Sequence, residues 1–290
     1  MDVMAALASM VLQHATAFTG HAVAPSKGGR MARQGSMDIH GHDSNMFHER
    51  TIDVTLFRIG CSGWSYRHWI GDLYPSGTRP EEMLGIYSRS FDTVEIDSTF
   101  YRLPAERTVD EWRRRTPSGF LFSAKMSRLA THMRRLQDPA RHVGPFMERL
   151  QRLDDKLGPV LVQMPPSQGI DLPLLSSFLD SFPPGQRVAV EPRNDEWFVG
   201  RTYKMLEERS CALCLVDSDK GAVTGPATAD FTYVRWHGRS GHAYSYADEE
   251  IVEWIDILQD LGVEEAYCYW NNDLEGAAPR NARRMMESSR

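Results

Sequence analysis

Eight short runs rich in β-branched and aromatic residues recur between residues 57 and 273, and this recurrence limits the fold more than any other feature. They are FRIGCSG (57–63), TVEIDST (93–99), FLFSAKM (120–126), PVLVQMP (159–165), RVAVEPR (187–193), CALCLVD (211–217), FTYVRWHG (231–238) and EAYCYWNND (265–273). Between most of them lie segments with helical spacing of apolar residues: RPEEMLGIYSRSF, RTVDEWRRRTP, GPFMERLQRLDDKLG, LPLLSSFLDSF, DEWFVGRTYKMLEERS and DEEIVEWIDILQDLG. Thr108 and Glu111 have capping-box spacing, and Gly158 and Gly262 stand where helices should stop. Strand and helix alternate, so the sheet should be parallel, and eight βα units within residues 56–290 predict a single-domain (β/α)8 TIM-type barrel. The connection SDKGAVTGPATAD carries Gly and Pro between runs six and seven, so the helix there is expected to be short or missing. An open doubly wound sheet is the alternative, but GCSGWS after the first run does not match a dinucleotide loop.

A hydrophobic content of 41% can build a sizeable core, and the net charge of -6 argues against general adhesion to nucleic acid or anionic membrane. A local basic stripe remains open, because residues 125–156 hold eight Lys or Arg against four acids, with Arg128, His132, Arg134 and Arg135 able to touch a phosphate backbone. Four cysteines make no disulfide framework. Cys211 and Cys214 form a CxxC within a strand-like run, where residues three apart point to opposite faces, so the spacing reads as coincidence and the chain as a protein of the reducing cytoplasm. No apolar run reaches the roughly 20 residues that span a bilayer, so no membrane partner is expected. Residues 1–55 lack periodicity and carry half of the histidines (His14, His21, His40, His42, His48), which reads as a poorly ordered extension.

Period-two alternation divides the runs into two faces. One is apolar and suits packing against helices: Val94 and Ile96, Phe122 and Ala124, Val160 and Val162, Val188 and Val190, Cys214 and Val216, Val234 and Trp236, Cys268 and Trp270. The other carries Glu95, Asp97 and Thr99, Ser123 and Lys125, Gln163, Glu191 and Arg193, Asp217, Tyr233, Arg235 and His237, and Tyr269, Asn271 and Asp273. In a barrel that face points inward, and its polar members fall at the C-terminal strand ends where barrel enzymes build their sites. Unpaired charges there would cost several kcal/mol, so the interior must be internally paired, wet or bound to ligand. A divalent metal is the less favoured occupant, because three cations would compete with it; Glu95, Glu191, Asp217 and His237 are the ligands to test. An anionic ligand is favoured, held by the HGRSG backbone, Arg239, Asn271 and Asn272 after the last two runs. Aromatic residues crowd the same rim (Trp64, Tyr66, Trp69, Phe100, Tyr101, Trp197) and could stack on bases or sugars.

The motifs GCSGWSYRHW, FDTVEIDSTFYRLP, FSAK, KLGPVLVQMPPS, VAVEPRNDEWF, YVRWHG and YWNND with GAAPRNA stand in an order and spacing that resembles the YecE-like family, domain of unknown function seventy-two, over about residues 57–285. The resemblance implies a (β/α)8 barrel and supplies no activity. It picks out Trp64, Glu95, Thr99, Tyr101, Lys125, His132, Gln163, Glu191, Arg193, Arg235, His237, Asn271, Asn272 and Asp273. The chain departs from the family pattern at Asp97 where Asn is usual, at Pro192 where an aromatic is usual, and at Asn194 where His is usual.

Three functions compete. The first is a hydrolase-like enzyme on a phosphorylated or nucleic-acid ligand, with Glu191 or Glu95 as general base, His237 as acid, and Lys125, Arg193 and Arg235 stabilising negative charge. The second is a glycoside hydrolase using Glu95 and Glu191 as its carboxylate pair. The third is a non-catalytic binding barrel whose interior ion pairs are structural. Oligomeric state is not legible from the residues.

Overall fold

The computed structural model describes residues 55–290; the expected N-terminal extension and its histidines lie outside the described residues. Eight parallel strands form a nearly closed barrel with helices between them: β1 (Leu56–Cys61), β2 (Thr93–Ile96), β3 (Leu121–Lys125), β4 (Leu157–Gln163), β5 (Val188–Glu191), β6 (Ala212–Ser218), β8 (Phe231–Gly238) and β9 (Glu265–Trp270). The helices are α1 (Pro80–Ser90), α2 (Ser98–Tyr101), α3 (Glu106–Arg115), α4 (Pro139–Leu150), α5 (Leu172–Leu179), α6 (Gly200–Glu207), α7 (Asp248–Asp260) and α8 (Ala277–Ser288). The helix expected to be short or missing after the sixth strand is replaced by the short strand β7 (Gly221–Val223), which turns back antiparallel on β6.

Strand order around the sheet is β1-β9-β8-β6-β5-β4-β3-β2, and the two ends meet through a parallel bridge between Ser62 and Glu95. Side chains stitch this seam where the ladder is short: Tyr87 on α1 donates to Thr93 O at 3.0 Å and accepts from Cys61 N at 2.7 Å. Gly60 is required there, since a Cβ would sit 2.1 Å from Thr93 O.

Two apolar clusters result. The outer one joins Val94, Phe122, Val162, Val190, Val234 and Trp270 to the helices. The inner one fills the barrel with Leu161, Ala189, Cys214, Val216, Tyr233 and Tyr269. Tyr269 ties the middle layer together, its hydroxyl lying 2.7 Å from Thr93 Oγ1 and 2.6 Å from Ser123 Oγ.

The structure corrects the face assignment of β6. Cys214 pairs in register with Tyr233 and Val216 with Arg235, so these two face the interior, while Leu213 and Leu215 join the outer core and Asp217 follows them outward. The run ALCLV is apolar on both faces, so alternation could not choose between them. Two local signals are also corrected. Helix α3 begins at Glu106 after Ala105, which leaves Thr108 inside it, and Gly158 lies within β4, where Phe122 O would approach a Cβ at 3.3 Å. Gly262, with φ of +62°, follows α7 as expected.

Candidate active site at the barrel mouth

The C-terminal strand ends bring together side chains from β2, β3, β4, β5, β8 and the segment after β9. Their centre is Arg235, only 1% exposed. Its Nη2 donates to Glu95 Oε1 at 2.8 Å and its Nη1 to Glu191 Oε2 at 2.9 Å, so one planar guanidinium joins two fully buried carboxylates. The remaining oxygens are engaged too. Glu95 accepts from Ser62 Oγ and from Tyr233 OH, each at 2.6 Å, and Glu191 accepts from Gln163 Nε2 at 2.9 Å and from Arg193. Burial opposes ionisation of Glu191, but Arg235 and Arg193 outweigh it and hold the carboxyl down at about 2. Against the same burial, Arg235 keeps Glu95 below the usual carboxylate range.

A second layer lies nearer solvent. Lys125 is 12% exposed and its ammonium has no hydrogen-bond acceptor among the described residues; Asp97 Oδ1 stands 3.9 Å away and the Phe100 ring centre 4.5 Å. Burial and the neighbouring Arg235 push Lys125 down from the ordinary lysine value. Asp97 is 28% exposed, and burial together with the Glu95 charge raises its carboxyl to about 6 despite Arg235 and Lys125. Its Oδ1 also stands 3.5 Å from Arg235 Nη2, yet among the described residues it accepts no hydrogen bond, and Arg193 Nε donates none.

His237 is enclosed by donors. Nε2 stands 3.0 Å from Arg193 Nη2 and 3.4 Å from Arg235 Nη1, while Nδ1 lies 2.9 Å from Asn271 Nδ2. Nε2 therefore acts as an acceptor and the ring is neutral, which puts its proton on Nδ1; the Asn271 amide, placed with Nδ2 toward that nitrogen, turns over to accept it with Oδ1. Burial, Arg235 and Arg193 lower the imidazole to about 2.

The other candidates do not converge on this cluster. Asp217 faces outward and accepts from Trp254 Nε1 at 3.0 Å and Arg239 Nε at 2.9 Å. Arg239 also donates to Glu250 at 2.6 Å, and Asn272 donates to Tyr244 O and to Asn281. Of the residues expected to cradle a phosphate, Arg239 and Asn272 are bonded to these partners, while Asn271 lies against His237. Asp273 accepts from Trp69 Nε1 at 2.7 Å and meets His68 at 2.8 Å, clasping the loops after β1 and β9. Thr99 is buried and bonds to Ile96 O and Lys125 O, linking β2 to β3. Trp64 packs edge-on against Trp112, and Tyr101 projects into solvent. Ser62 is the site residue that sequence reasoning missed; it lies two residues beyond inward-facing Gly60, and period two along the first run would have found it.

Among the described residues no three metal-ligating side chains converge. Of the four proposed ligands, Asp217 is on the other face, Glu95 and Glu191 are bridged by a guanidinium, and both His237 ring nitrogens are engaged. The donor set does not fit a divalent ion.

No helix among the described residues is long and apolar enough to cross a membrane. A Bacillus subtilis protein, UPF0759 protein YunF, is 24% identical over 278 residues, covering 80% of this chain and 94% of its own. UPF0759 protein YecE of Escherichia coli is 32% identical over 149 residues, and there the chain spans about half (50%) of the relative's length. A crystal structure of a DUF72 family protein from Thermotoga maritima superposes with a TM-score of 0.72 at 27% identity, covering 80% of this chain and 98% of that one. One from Enterococcus faecalis, with a TM-score of 0.69 at 20% identity over 80% of this chain and 95% of that one, has the same fold. The family model described as "Protein of unknown function DUF72" matches residues 58–290, so the chain belongs to the DUF72 family.

Proposed function

We propose that the mouth of the barrel binds an anionic ligand of the phosphoester class and acts on it as a hydrolase. The observation that carries this reading is Lys125, whose side chain is 12% exposed and whose ammonium has no hydrogen-bond acceptor among the described residues, with Arg193 on the same rim. A cation on a largely buried stem with no protein acceptor is placed to take a charge-assisted bond from an anionic ligand. Two cations from adjacent parts of one rim match the charge of a phosphoryl group and would stabilise negative charge as it develops.

Proton exchange falls to Asp97. Its carboxyl, raised to about 6, is the one of the three mouth acids with an oxygen free of donors. Glu95 and Glu191 serve by fixing Arg235, and neutral His237 serves by orienting Arg193. The glycoside-hydrolase alternative needs one carboxyl held protonated as an acid, whereas Glu95 and Glu191 are both locked as anions by the same guanidinium.

Calorimetry with inorganic phosphate and turnover of p-nitrophenyl phosphate and its bis ester test the proposal. Phosphate binding that is lost in Lys125→Met and weakened in Arg193→Gln, with folding intact, is the expected result. A parent protein that binds neither phosphate nor either ester sinks it.

A further inference from the structure

The loops after β2 and β3 hold cations and apolar side chains that the mouth does not use. Residues 125–137 read KMSRLATHMRRLQ, with four Lys or Arg and no acid, in a chain of net charge -6. Some surface arginines elsewhere are paired with carboxylates, as Arg152 is with Asp110 and Arg209 with Asp180, and others such as Arg89 and Arg201 stand singly; only in this segment do several unpaired ones cluster. Among the described residues Arg128 and Arg134 reach no carboxylate, and Arg135 touches only Ser167 Oγ at 3.4 Å. Tyr101 is 77% exposed, and its neighbour Phe100 meets the His132 ring edge-on at 5.0 Å, which joins the two loops.

The backbone of this surface is unusual as well. Leu129–Met133 forms a π-helical turn, followed by Arg135, Leu136 and Asp138 at φ of +49°, +67° and +51°. Left-handed conformations at three non-glycine residues cost energy, and π turns and such strain concentrate where a segment binds something.

We infer that this rim is a track for an extended polyanion, single-stranded nucleic acid, which runs over Tyr101 and the Arg128–Arg135 segment and into the Lys125 mouth. An exposed aromatic ring and unpaired guanidinium groups on linked loops are the combination that single strands use, with bases stacked on the aromatic plane and phosphates on the cations. Continuity is direct, since Lys125 at the base of the segment is the same residue that faces the mouth. An acidic peptide would use the cations but would give no reason for the exposed ring. The inference deepens the proposed function and rests on the mouth being an anion site.

Fluorescence anisotropy of the full chain with labelled oligo(dT) of about 12 nucleotides tests it. Binding should weaken steadily with added salt. Tyr101→Ala and the double variant Arg128→Gln/Arg134→Gln should each lower oligonucleotide affinity by about tenfold. Both should leave inorganic phosphate affinity and the thermal melt unchanged, because these side chains are exposed and outside the mouth. No oligonucleotide binding, binding untouched by both variants, or equal affinity for a labelled polyglutamate with the same losses would overturn the track. The two readings fail separately: phosphate affinity unmoved by Lys125→Met removes the mouth as the anion site, whatever the rim variants do to the oligonucleotide.

Discussion

Arg235 donates to Glu95 at 2.8 Å across the barrel, joining β8 to the strand that begins the closure seam. The same guanidinium holds Glu191, so removing it leaves Glu95 without its ion pair and Glu191 with Arg193 alone, both in a buried position. Arg235→Met should destabilise the fold by about 3–5 kcal/mol. Combining it with Glu95→Gln and Glu191→Gln should recover much of that loss, because the neutral amides no longer require a counter-charge. Urea unfolding of the single and triple variants checks this; a loss below about 1 kcal/mol for Arg235→Met would mean the three groups do not act as one network.

Asp97 ties stability and activity to pH in the opposite sense from its neighbours. Its folded carboxyl titrates at about 6, above the roughly 3.9 of an unfolded aspartate. Between those values the folded state holds a proton that the unfolded chain has lost, so this residue makes stability fall as pH rises through the window. Asp97→Asn should therefore match the parent near pH 4 and exceed it by about 1–3 kcal/mol at pH 7, with solvent exposure favouring the lower figure. If Asp97 is the base, ester turnover in the parent rises through pH 6 and that limb disappears in the variant. Identical stability profiles for the two proteins would remove Asp97 from this role.

Much of this arrangement could be read from the residues, and the failures have a physical pattern. Strands β2, β5 and β8 alternate charged with β-branched or aromatic residues, so Glu95, Glu191 and Arg235 could be assigned to the interior directly. In β6 both faces are apolar, and the lone Asp217 was drawn inward by its charge although Trp254 and Arg239 satisfy it on the outside. Arg239, Asn272 and Asp273 lie beyond the strand ends, where the chain turns and period two no longer tells direction. What pairs with what, such as Arg235 with two acids while Lys125 has no hydrogen-bond acceptor, depends on strand order and stagger, which no local pattern encodes.

The closure seam depends on one phenol. Tyr87 OH bridges Cys61 N and Thr93 O, backbone groups that the short β1–β2 ladder leaves without strand partners. Tyr87→Phe keeps the ring among Trp69, Phe91 and Phe120 but leaves both groups unsatisfied in a buried position. A loss of about 1–3 kcal/mol is expected, with the fastest amide exchange appearing first at Cys61 and its neighbours. Exchange that instead speeds uniformly over the barrel would show that the seam opens only on global unfolding.

His237 supplies the last test, because its surroundings fix a protonation state that the sequence could not. A second proton on Nε2 would point at the guanidinium groups of Arg193 and Arg235, 3.0 and 3.4 Å away. With the imidazole held down at about 2, the unfolded chain gains a proton below about 6.5 that the folded protein does not. This residue therefore contributes stability at neutral pH that is lost as the solution is acidified through that range. Nitrogen-15 spectra of the histidine rings should show His237 as a single neutral tautomer, protonated at Nδ1, unchanged from pH 8 down to about 5, where exposed histidines have titrated. A ring that titrates near 6.5 would make His237 available as a general acid and would return that role to it in place of Asp97.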